Sequence, residues 1–410
     1  MSGLLEGITV VALEQAVAAP MCTRVLADFG ARVIKVENPD GGDFARWYDD
    51  VVNGQAAHFV WCNRGKQSVT LDLKSPDGLD LLHRLLDRAD VLVSNLAPGA
   101  TARLGLAPDD LANRHPGLIS VEIDGFGVGG PLSNKRAYDL LVQAEIGACA
   151  VTGYPGAPAK PGPPVADVTT GLHAALSILA LLCARERGRP EGAQVAVSLF
   201  DTMADMMGYH LTHARYTGVD QQPLGVGSPA VAPYGSYRTA DEQTVVLGTT
   251  NDREWQRLAR LMLQRPDLAQ DERFRTNPDR CLHRQVLDAE IGAWCARHDL
   301  AHIQKAADDA GIGNSRYNRA TEVVEHPQLR ERDRWREIDS PAGVVQSLLP
   351  APVISGVVPT MGAVPGLGEH TDAVLSELGL AATEVAVLRG SGALGPAYRP
   401  GDEHDDSSKS

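Results

Sequence analysis

A single carboxylate, Asp167, stands where the chain passes from two prolines into a long apolar helix. Pro163 and Pro164 favour an extended entry, and the apolar pattern that follows predicts a helix over Leu172–Arg187. Taken alone, this spacing favours a helix N-cap, because an aspartate before a helix accepts hydrogen bonds from the first amide groups. The same position also keeps a carboxylate ionised, as a carboxylate nucleophile requires. The pattern therefore leaves Asp167 either a structural cap or the reactive group.

Length, charge and cysteine content limit the classes of protein to consider. The chain has 410 residues, enough for two or three domains, and its net charge of −14 gives it no dominant basic face for nucleic acid. Six cysteines form no CxxC pair, which favours reduced thiols and no metal site. The N-terminus lacks a secretory signal, and the apolar stretch Leu172–Ala184 is predicted to be too short to span a bilayer. We therefore expect a cytoplasmic protein that binds neither nucleic acid nor membrane.

Strands and helices alternate with short loops through the first part of the chain. GITVVALE, RVIKVE, SVTLDL, DVLVSNL and GLISVEIDGFG read as strands separated by helices, which predicts an α/β domain with a mostly parallel sheet. Glu37 ends the second strand, where dinucleotide enzymes keep a ribose-binding acid. The first turn, EQAVAAP, contains no glycine, however, and this argues against NAD.

The pattern changes near residue 225. A hairpin turning at Ala240–Gln243 is followed by helices at roughly 252–264, 283–298 and 301–310, which predicts a smaller α+β domain. We assign residues 1–224 to a large domain, 225–325 to the small one and 326–398 to a return to the large one. Residues 399–410 read as a solvated, disordered tail.

A series of segments between residues 5 and 380 resembles the class III CoA-transferase family, which includes formyl-CoA and carnitine CoA-transferases and α-methylacyl-CoA racemases. The matching segments include LEGITVVALEQAVAAPMCTRVLADFGARVIKVENPDGGD, NRGKQSVTLDLKSPDG, NLAPGATARLGL, RAYDLLVQAEIG, DVTTGLHAALSILALL, APYGSYRTAD and LGEHTD. The resemblance implies a large Rossmann-like domain built from both chain ends and a smaller inserted domain. It also implies an obligate homodimer of two interlocked chains.

The resemblance implies a specific chemistry for Asp167, since DVTTG matches the family's catalytic motif. The carboxylate would attack an acyl-CoA to form an anhydride, and the released thiolate would convert that anhydride to an aspartyl-CoA thioester. An acceptor acid would then take the CoA through a second anhydride. Coenzyme A is thus a substrate, and no permanently bound cofactor or metal is expected.

The racemases of the same family are the alternative. They keep a Gly-His-Asp step and an acid in the small domain, where this chain has Ala137-Tyr138-Asp139 and Asn251. Tyrosine and asparagine are poor substitutes for a near-neutral base and a carboxylate, so transfer is favoured over racemisation. Tyr138 and Asp139 remain possible accessory groups, Asp139 either positioning the acceptor or capping its own helix.

The family's CoA contacts fall on a set of residues spread over the large domain. They are Ala16, Val17, Ala18, Leu71, Lys74, Asn95, Leu96, Arg103 and Arg136, to which we add Lys35 and Asn38 at the end of the second strand. Val17 stands where formyl-CoA transferases carry glutamine, so that polar contact is missing. The cations are the types of residue that bind the phosphates of CoA.

The acceptor acid is less well defined by sequence. Residues 43–67 and 311–318 resemble members thought to act on small dicarboxylates, with succinyl-CoA as a donor. A second substrate carboxylate would be bound by arginine, and Arg46 and Arg64 are the candidates. Structural salt bridges or CoA phosphate contacts are the alternatives for both. Pro229 stiffens the loop 225–235, which is glycine-rich in formyl-CoA transferases, so oxalate is not expected as the acceptor.

Overall fold

The computed structural model describes residues 3–189 and 192–399, which form two compact units. The first unit comprises the described residues of 3–146, 162–189, 192–208 and 331–399. The second is drawn from Gly147–Pro161 and Tyr209–Arg330. All but the first residue of the expected tail, 399–410, lies outside the described residues.

The first unit is an alternation of strands and helices, as the sequence predicts. Its elements up to residue 146 are β1 Thr9–Leu13, α1 Ala18–Asp28, β2 Arg32–Glu37, a 3-10 turn Phe44–Trp47, α2 Ala57–Asn63, β3 Lys66–Thr70, α3 Pro76–Leu86, β4 Val91–Ser94, α4 Ala100–Arg103, α5 Pro108–Arg114, β5 Ile119–Asp124 and α6 Asp139–Glu145. The hairpin β6 Gly153–Tyr154 and β7 Ala157–Pro158 belongs to the second unit. The first unit then continues with α7 Val165–Glu186, β8 Ala193–Ser198 and α8 Leu199–Met206.

A six-stranded parallel sheet lies at the centre of the first unit, in the order β3-β2-β1-β4-β5-β8. The central strand β1, TVVAL, is apolar after its first residue and almost fully buried. Such strands suit a parallel sheet covered on both faces. The predicted α/β class with a large parallel sheet is confirmed.

The second unit combines short helices with a small antiparallel sheet. Its further elements are α9 Gly208–Thr217, which begins at the boundary, β9 Tyr234–Arg238, β10 Thr244–Gly248, α10 Asp252–Arg257, a π-helical turn Leu258–Met262, α11 Pro266–Gln270, a 3-10 turn Glu272–Phe274, α12 Asn277–Leu282, α13 Arg284–Cys295, α14 Leu300–Ala310, β11 Gly313–Arg316, α15 Ala320–Val324 and α16 Pro327–Arg330. β9 and β10 form the hairpin predicted at Ala240–Gln243, and β11 adds to it. Trp255, Phe274 and Ile291 lie in its core.

The second unit is larger than the expected range of 225–325. It includes residues 147–161 and begins at Tyr209. One physical reason is a backbone hydrogen bond in which the amide of Gly225 donates to the carbonyl of Gly153. This contact joins the β6–β7 hairpin to the segment that leads into β9.

The C-terminal segment returns to the first unit through β12 Trp335–Ile338, β13 Val345–Leu348, α17 Thr371–Glu377 and α18 Ala382–Gly390. Glu37 joins it to the sheet. Its carboxylate accepts hydrogen bonds from Arg46 at 2.8 and 2.9 Å and from the Ser68 hydroxyl at 2.6 Å. Arg46 also donates to the carbonyl of Pro365, and Ser68 Oγ accepts from the amide of Gly368. One buried carboxylate therefore joins residues from both ends of the chain.

Helices α1 and α7 pack closely at a glycine. A Cβ added at Gly171 would lie 2.4 Å from the carbonyl oxygen of Ala18.

The 22-residue α7 is longer than the predicted apolar core of Leu172–Ala184. Its length and composition would let it cross a bilayer, so the prediction that it is too short is wrong. This is weak support for a membrane span, because core helices of water-soluble proteins pass the same test.

The α1–α7 contact predicts an unusual response to a helix-favouring substitution. Gly171→Ala should lower the free energy of unfolding by about 1–3 kcal/mol, because the added methyl group forces the helices apart. Gly292→Ala is the matched control, since a Cβ there lies 3.9 Å from its nearest neighbour. The control should be neutral or stabilising by up to about 1 kcal/mol. Urea denaturation measures both, and equal responses would contradict the packing argument.

Glu37 predicts a pH dependence of stability. Burial alone would raise its pKa, but Arg46 and then Lys35 and Ser68 favour the charged form and lower the pKa from 4.5 to about 2. The unfolded chain therefore binds this proton at higher pH than the folded chain. The stability that the charge contributes is present above pH 4.5 and is lost as the pH falls towards 2, by roughly 3 kcal/mol in total.

Urea denaturation at a series of pH values between 5 and 2.5 tests this dependence. Wild type should lose stability more steeply than Glu37→Gln, which has no carboxyl group to titrate at this position. Glu6→Gln, at an exposed position, should behave like wild type. Parallel curves for wild type and Glu37→Gln would contradict the assignment.

Candidate active site

The loops that follow β1 and β4 lie side by side at the carboxyl edge of the sheet. Strand order reverses between these two strands, and such a switch point opens a crevice in an α/β sheet. The amide of Gln15 donates to Asn95 Oδ1, and Asn95 Nδ2 donates back to the carbonyl of Gln15, both at 2.9 Å. Ala16 has a φ of +62°, and its amide donates to Asp43 at 3.0 Å. The β1–α1 loop is therefore fixed from both sides.

Two cavities open at this edge and meet at Gln15 and Leu96, which line both. The larger, of about 660 Å³, extends over the ends of β1 and β2 towards Lys74 and Arg103. The second, of about 480 Å³, contains Asp167 and is called the Asp167 cavity here. The two adjoining cavities are together called the groove here. Lys74 and Arg103 line its larger part, and Asp167 lines the second part together with Lys135 and Arg136.

Ten of the eleven residues predicted to contact CoA line this groove. The larger cavity is lined by Asn38, Leu71, Lys74, Leu96 and Arg103, and the Asp167 cavity by Ala16, Val17, Ala18, Asn95, Leu96 and Arg136. Lys35 is the exception and is corrected by the structure. Its side chain is fully buried, its ammonium donates to Asp43 at 2.7 Å, and it does not line either cavity.

The structure also corrects the prediction that Arg46 and Arg64 bind a substrate carboxylate. Arg46 lies against the ring of Phe59 at 3.8 Å and forms its ion pair with Glu37. Arg64 is 2% exposed and donates to both carboxylate oxygens of Asp28 at 2.8 Å. Neither arginine lines the groove, so the alternative of structural salt bridges is the one observed.

Asp167 lies in the first turn of α7, but it is not the N-cap that the sequence favoured. The helix begins at Val165, and Pro164 occupies the cap position without a side-chain hydrogen bond. Asp139 instead accepts from the amide of Ala166 at 3.0 Å, and Asp167 lines the cavity. The positive end of the α7 dipole favours the charged form of a carboxylate placed here.

Tyr48 and His58 are among the residues of the Asp167 cavity that the sequence interpretation missed. Their rings meet edge-on at 5.6 Å, and both line the cavity. Burial, and then the charges of Asp43 and Asp167, raise the pKa of Tyr48, so its hydroxyl stays protonated and can donate. Both residues lie within the stretch 43–67, where the arginines were given the substrate role. The polar groups of these two aromatic side chains were the feature of the sequence that could have indicated a role in the site.

The structure also shows where Tyr138 and Asn251 lie, the two residues by which the sequence argued for a transferase over a racemase. Tyr138 is the N-cap residue of α6 and lines the Asp167 cavity. Asn251 caps α10 in the second unit, where its side chain accepts from the amide of Glu254 at 3.0 Å. Asn251 therefore has a structural role that accounts for its residue type.

Among residues 3–189 and 192–399, no cluster of three or more His, Cys, Asp or Glu side chains could hold a metal ion. Cys22 and Cys62 are buried near the start of α1. Burial raises the pKa of the Cys62 thiol to about 12 and raises that of Cys22 as well. Neither thiol is therefore a ready nucleophile.

Comparison with known proteins gives this geometry a context. The model of CoA-transferase family III matches residues 5–371. The chain is 34% identical to succinate–glutarate CoA-transferase of Agrobacterium fabrum, over 91% of this chain and 95% of that one. It is 33% identical to succinyl-CoA–D-citramalate CoA-transferase of Chloroflexus aurantiacus, over 94% and 96%.

A solved structure shares the fold. A CaiB/BaiF family protein from Brucella suis is 30% identical and has a TM-score of 0.79, with 92% of this chain and 100% of that chain covered. Since the family model and the relatives span nearly the whole sequence, the chain belongs to CoA-transferase family III and is a CoA-transferase.

Proposed function

We propose that this protein moves CoA from succinyl-CoA to a small dicarboxylic acid, with Asp167 as the nucleophile. The observation that carries the proposal is the groove, which runs from Lys74 and Arg103 past Gln15 and Leu96 to Asp167. Two relatives are named for succinyl-CoA or succinate and a second dicarboxylate, and this supports the substrate class.

The larger cavity suits the nucleotide end of CoA. Lys74 and Arg103 supply cations for its phosphates, and Leu13, Val36 and Leu71 supply an apolar surface for the adenine. The pantetheine arm would then pass Gln15 and Leu96 and bring the thioester to Asp167. In this arrangement the phosphates bind far from the reacting carbonyl, so their binding energy orients the thioester.

Each step of the proposed chemistry is an acyl transfer. The Asp167 carboxylate attacks the thioester carbonyl, which breaks the C–S bond and gives a mixed anhydride and CoA thiolate. The thiolate attacks the Asp167 carbonyl of the anhydride, releases the donor acid and forms an aspartyl-CoA thioester. The acceptor carboxylate repeats the sequence in reverse and leaves with CoA, which restores Asp167.

Each tetrahedral intermediate places negative charge on an oxygen that needs hydrogen-bond donors. The hydroxyl of Tyr48 is one candidate, because its raised pKa keeps the proton in place. The amides at the start of α1 are another, since Val17 at the N-cap has no side-chain oxygen to occupy them. Ala18, the first residue of α1, lines the Asp167 cavity.

The second carboxylate of the substrate needs a cation in the Asp167 cavity. Lys135 and Arg136 both line this cavity. Lys135 forms an ion pair with Glu145 at 2.9 Å, so Arg136 is the better candidate for the substrate. This role replaces those predicted for Arg46 and Arg64 and competes with the CoA contact predicted for Arg136.

We further infer a cytoplasmic homodimer of interlocked chains, with the smaller domain inserted into the larger. Support for a partner copy comes from apolar side chains exposed on the first unit. Leu176 on α7 is 62% exposed, and Val353 and Val358 in the C-terminal segment are 71% and 78% exposed. Light scattering after size exclusion should give twice the chain mass, and a monomer would contradict the inference.

Covalent labelling of Asp167 is the first test. After incubation with succinyl-CoA and trapping with hydroxylamine, mass spectrometry should show a mass change on the peptide that contains Asp167. Asp167→Ala should abolish both the label and the transfer of CoA to dicarboxylic acids. Asp109→Ala, which removes an exposed first-turn acid from α5, should retain both. Turnover by Asp167→Ala at the wild-type rate would overturn the nucleophile assignment.

The Arg136 assignment predicts a substrate-selective defect. Arg136→Met should raise KM for a dicarboxylate acceptor by roughly 10- to 100-fold, because one charge-assisted contact is lost. KM for a monocarboxylate of similar length and Kd for CoA should change little. A weaker CoA affinity with unchanged acceptor selectivity would instead assign Arg136 to the phosphates.

A further inference from the structure

Helix α7 begins without a cap of its own. Pro164 stands at its N-cap position and has no side-chain acceptor, so the amides of the first turn need acceptors from elsewhere. These amides include those of Ala166 and Asp167, the second and third residues of the helix. A serine or aspartate at the cap position would normally accept from them.

Asp139 supplies the acceptor from another helix. Its Oδ1 accepts from the amide of Ala166 at 3.0 Å and, at the long limit of a hydrogen bond, from that of Asp167 at 3.5 Å. Asp139 is the first residue of α6 and lies 28 positions before Asp167. The contact therefore fixes the first turn of α7 against the start of α6.

The Asp139 side chain is itself held in place. Gln143, one turn later on α6, donates from Nε2 to Asp139 Oδ2 at 2.7 Å. Gln143 is completely buried. The two oxygens of Asp139 are thus directed towards different donors, one towards Gln143 and the other towards the start of α7, which defines the orientation of the carboxylate.

We propose that Asp139 is a positioning residue that caps α7 from α6 and so orients Asp167 for attack on the thioester. This inference rests on the proposed nucleophilic role of Asp167. Asp139 acts through the backbone of the nucleophile, because its Oδ1 accepts from the amides of that turn. The role differs from both sequence alternatives, which were capping its own helix and binding the acceptor.

Single-turnover acylation measures the effect. With excess succinyl-CoA, Asp139→Ala should slow acylation of Asp167 by roughly 100-fold, the scale expected for a displaced reacting group. Kd for CoA should be unchanged. Asp139→Asn keeps an oxygen acceptor for the amides and should recover most of the rate. Asp299→Ala removes the cap of α14 in the second unit and should acylate at the wild-type rate.

A wild-type rate in Asp139→Ala would overturn the proposal. An Asn variant as slow as the Ala variant would also overturn it, because the charge rather than the capping geometry would then matter.

A second measurement separates this proposal from the proposed function. Hydrogen–deuterium exchange of the amides of Ala166 and Asp167 should be faster in Asp139→Ala than in wild type, without any substrate present. Gln143→Leu should show a smaller increase, because it releases only the other oxygen of Asp139. If wild type is never acylated, the proposed function fails, and the exchange data still test the cap. Unchanged exchange would overturn the positioning role.

Discussion

A network of buried charged side chains near the carboxyl edge of the sheet constrains the loops at that edge. Glu14, Lys35 and Lys66 are completely enclosed, and removing each ion from water costs several kcal/mol unless an opposite charge is close. Lys66 donates to Glu14 at 2.6 Å and to the carbonyl of Pro20 at 3.0 Å. Burial lowers the pKa of Lys66 to about 8, and it would lower it further without Glu14. The network is stable only when every member is present and in place.

This requirement explains the geometry of the β1–α1 loop. Asp43 accepts from Lys35 with one oxygen and from the amide of Ala16 with the other. The loop is therefore attached to a carboxylate that cannot move without removing the shorter of the two ion pairs of the buried Lys35. Ala16 keeps its left-handed backbone for the same reason, although that conformation is unfavourable for a residue with a Cβ. A loop held this firmly can present backbone amides to a developing charge with little reorganisation.

The sequence was informative where the pattern is local and misleading where it depends on a distant partner. Alternating strands and helices predicted the parallel sheet of the first unit, and the turn at Ala240–Gln243 predicted the hairpin of the second unit. Both predictions follow from residue types a few positions apart. The groove could be predicted only through the resemblance to a family. Whether Lys35, Arg46 or Arg64 faces solvent or a buried carboxylate depends on Asp43, Glu37 and Asp28, and no local spacing shows those pairings.

The prediction that Asp167 is the N-cap of α7 was wrong for a related reason. Asp167 has the residue type of an N-cap, but the helix starts earlier because Pro164 can occupy the cap position without donating a hydrogen bond. The acceptor that Pro164 does not provide is supplied by Asp139 of α6, which lies 27 residues before Ala166 in the chain. The capping acceptor of this helix is thus supplied by a separate element. Asp139 therefore provides the cap, and Asp167 is the carboxylate that the proposed function assigns as nucleophile.

Arg46 affects the wall of the Asp167 cavity indirectly, through the residues that it packs against. Its ion pair with Glu37 and its contact with Phe59 hold the 3-10 turn Phe44–Trp47 against the sheet. That turn presents Phe44 and the following Tyr48 to the Asp167 cavity. An arginine that bound substrate directly would have to leave a buried glutamate unpaired at every turnover, at a cost of several kcal/mol. An arginine that shapes the wall has no such cost, and under the proposed function the residues that the wall presents would select the acceptor.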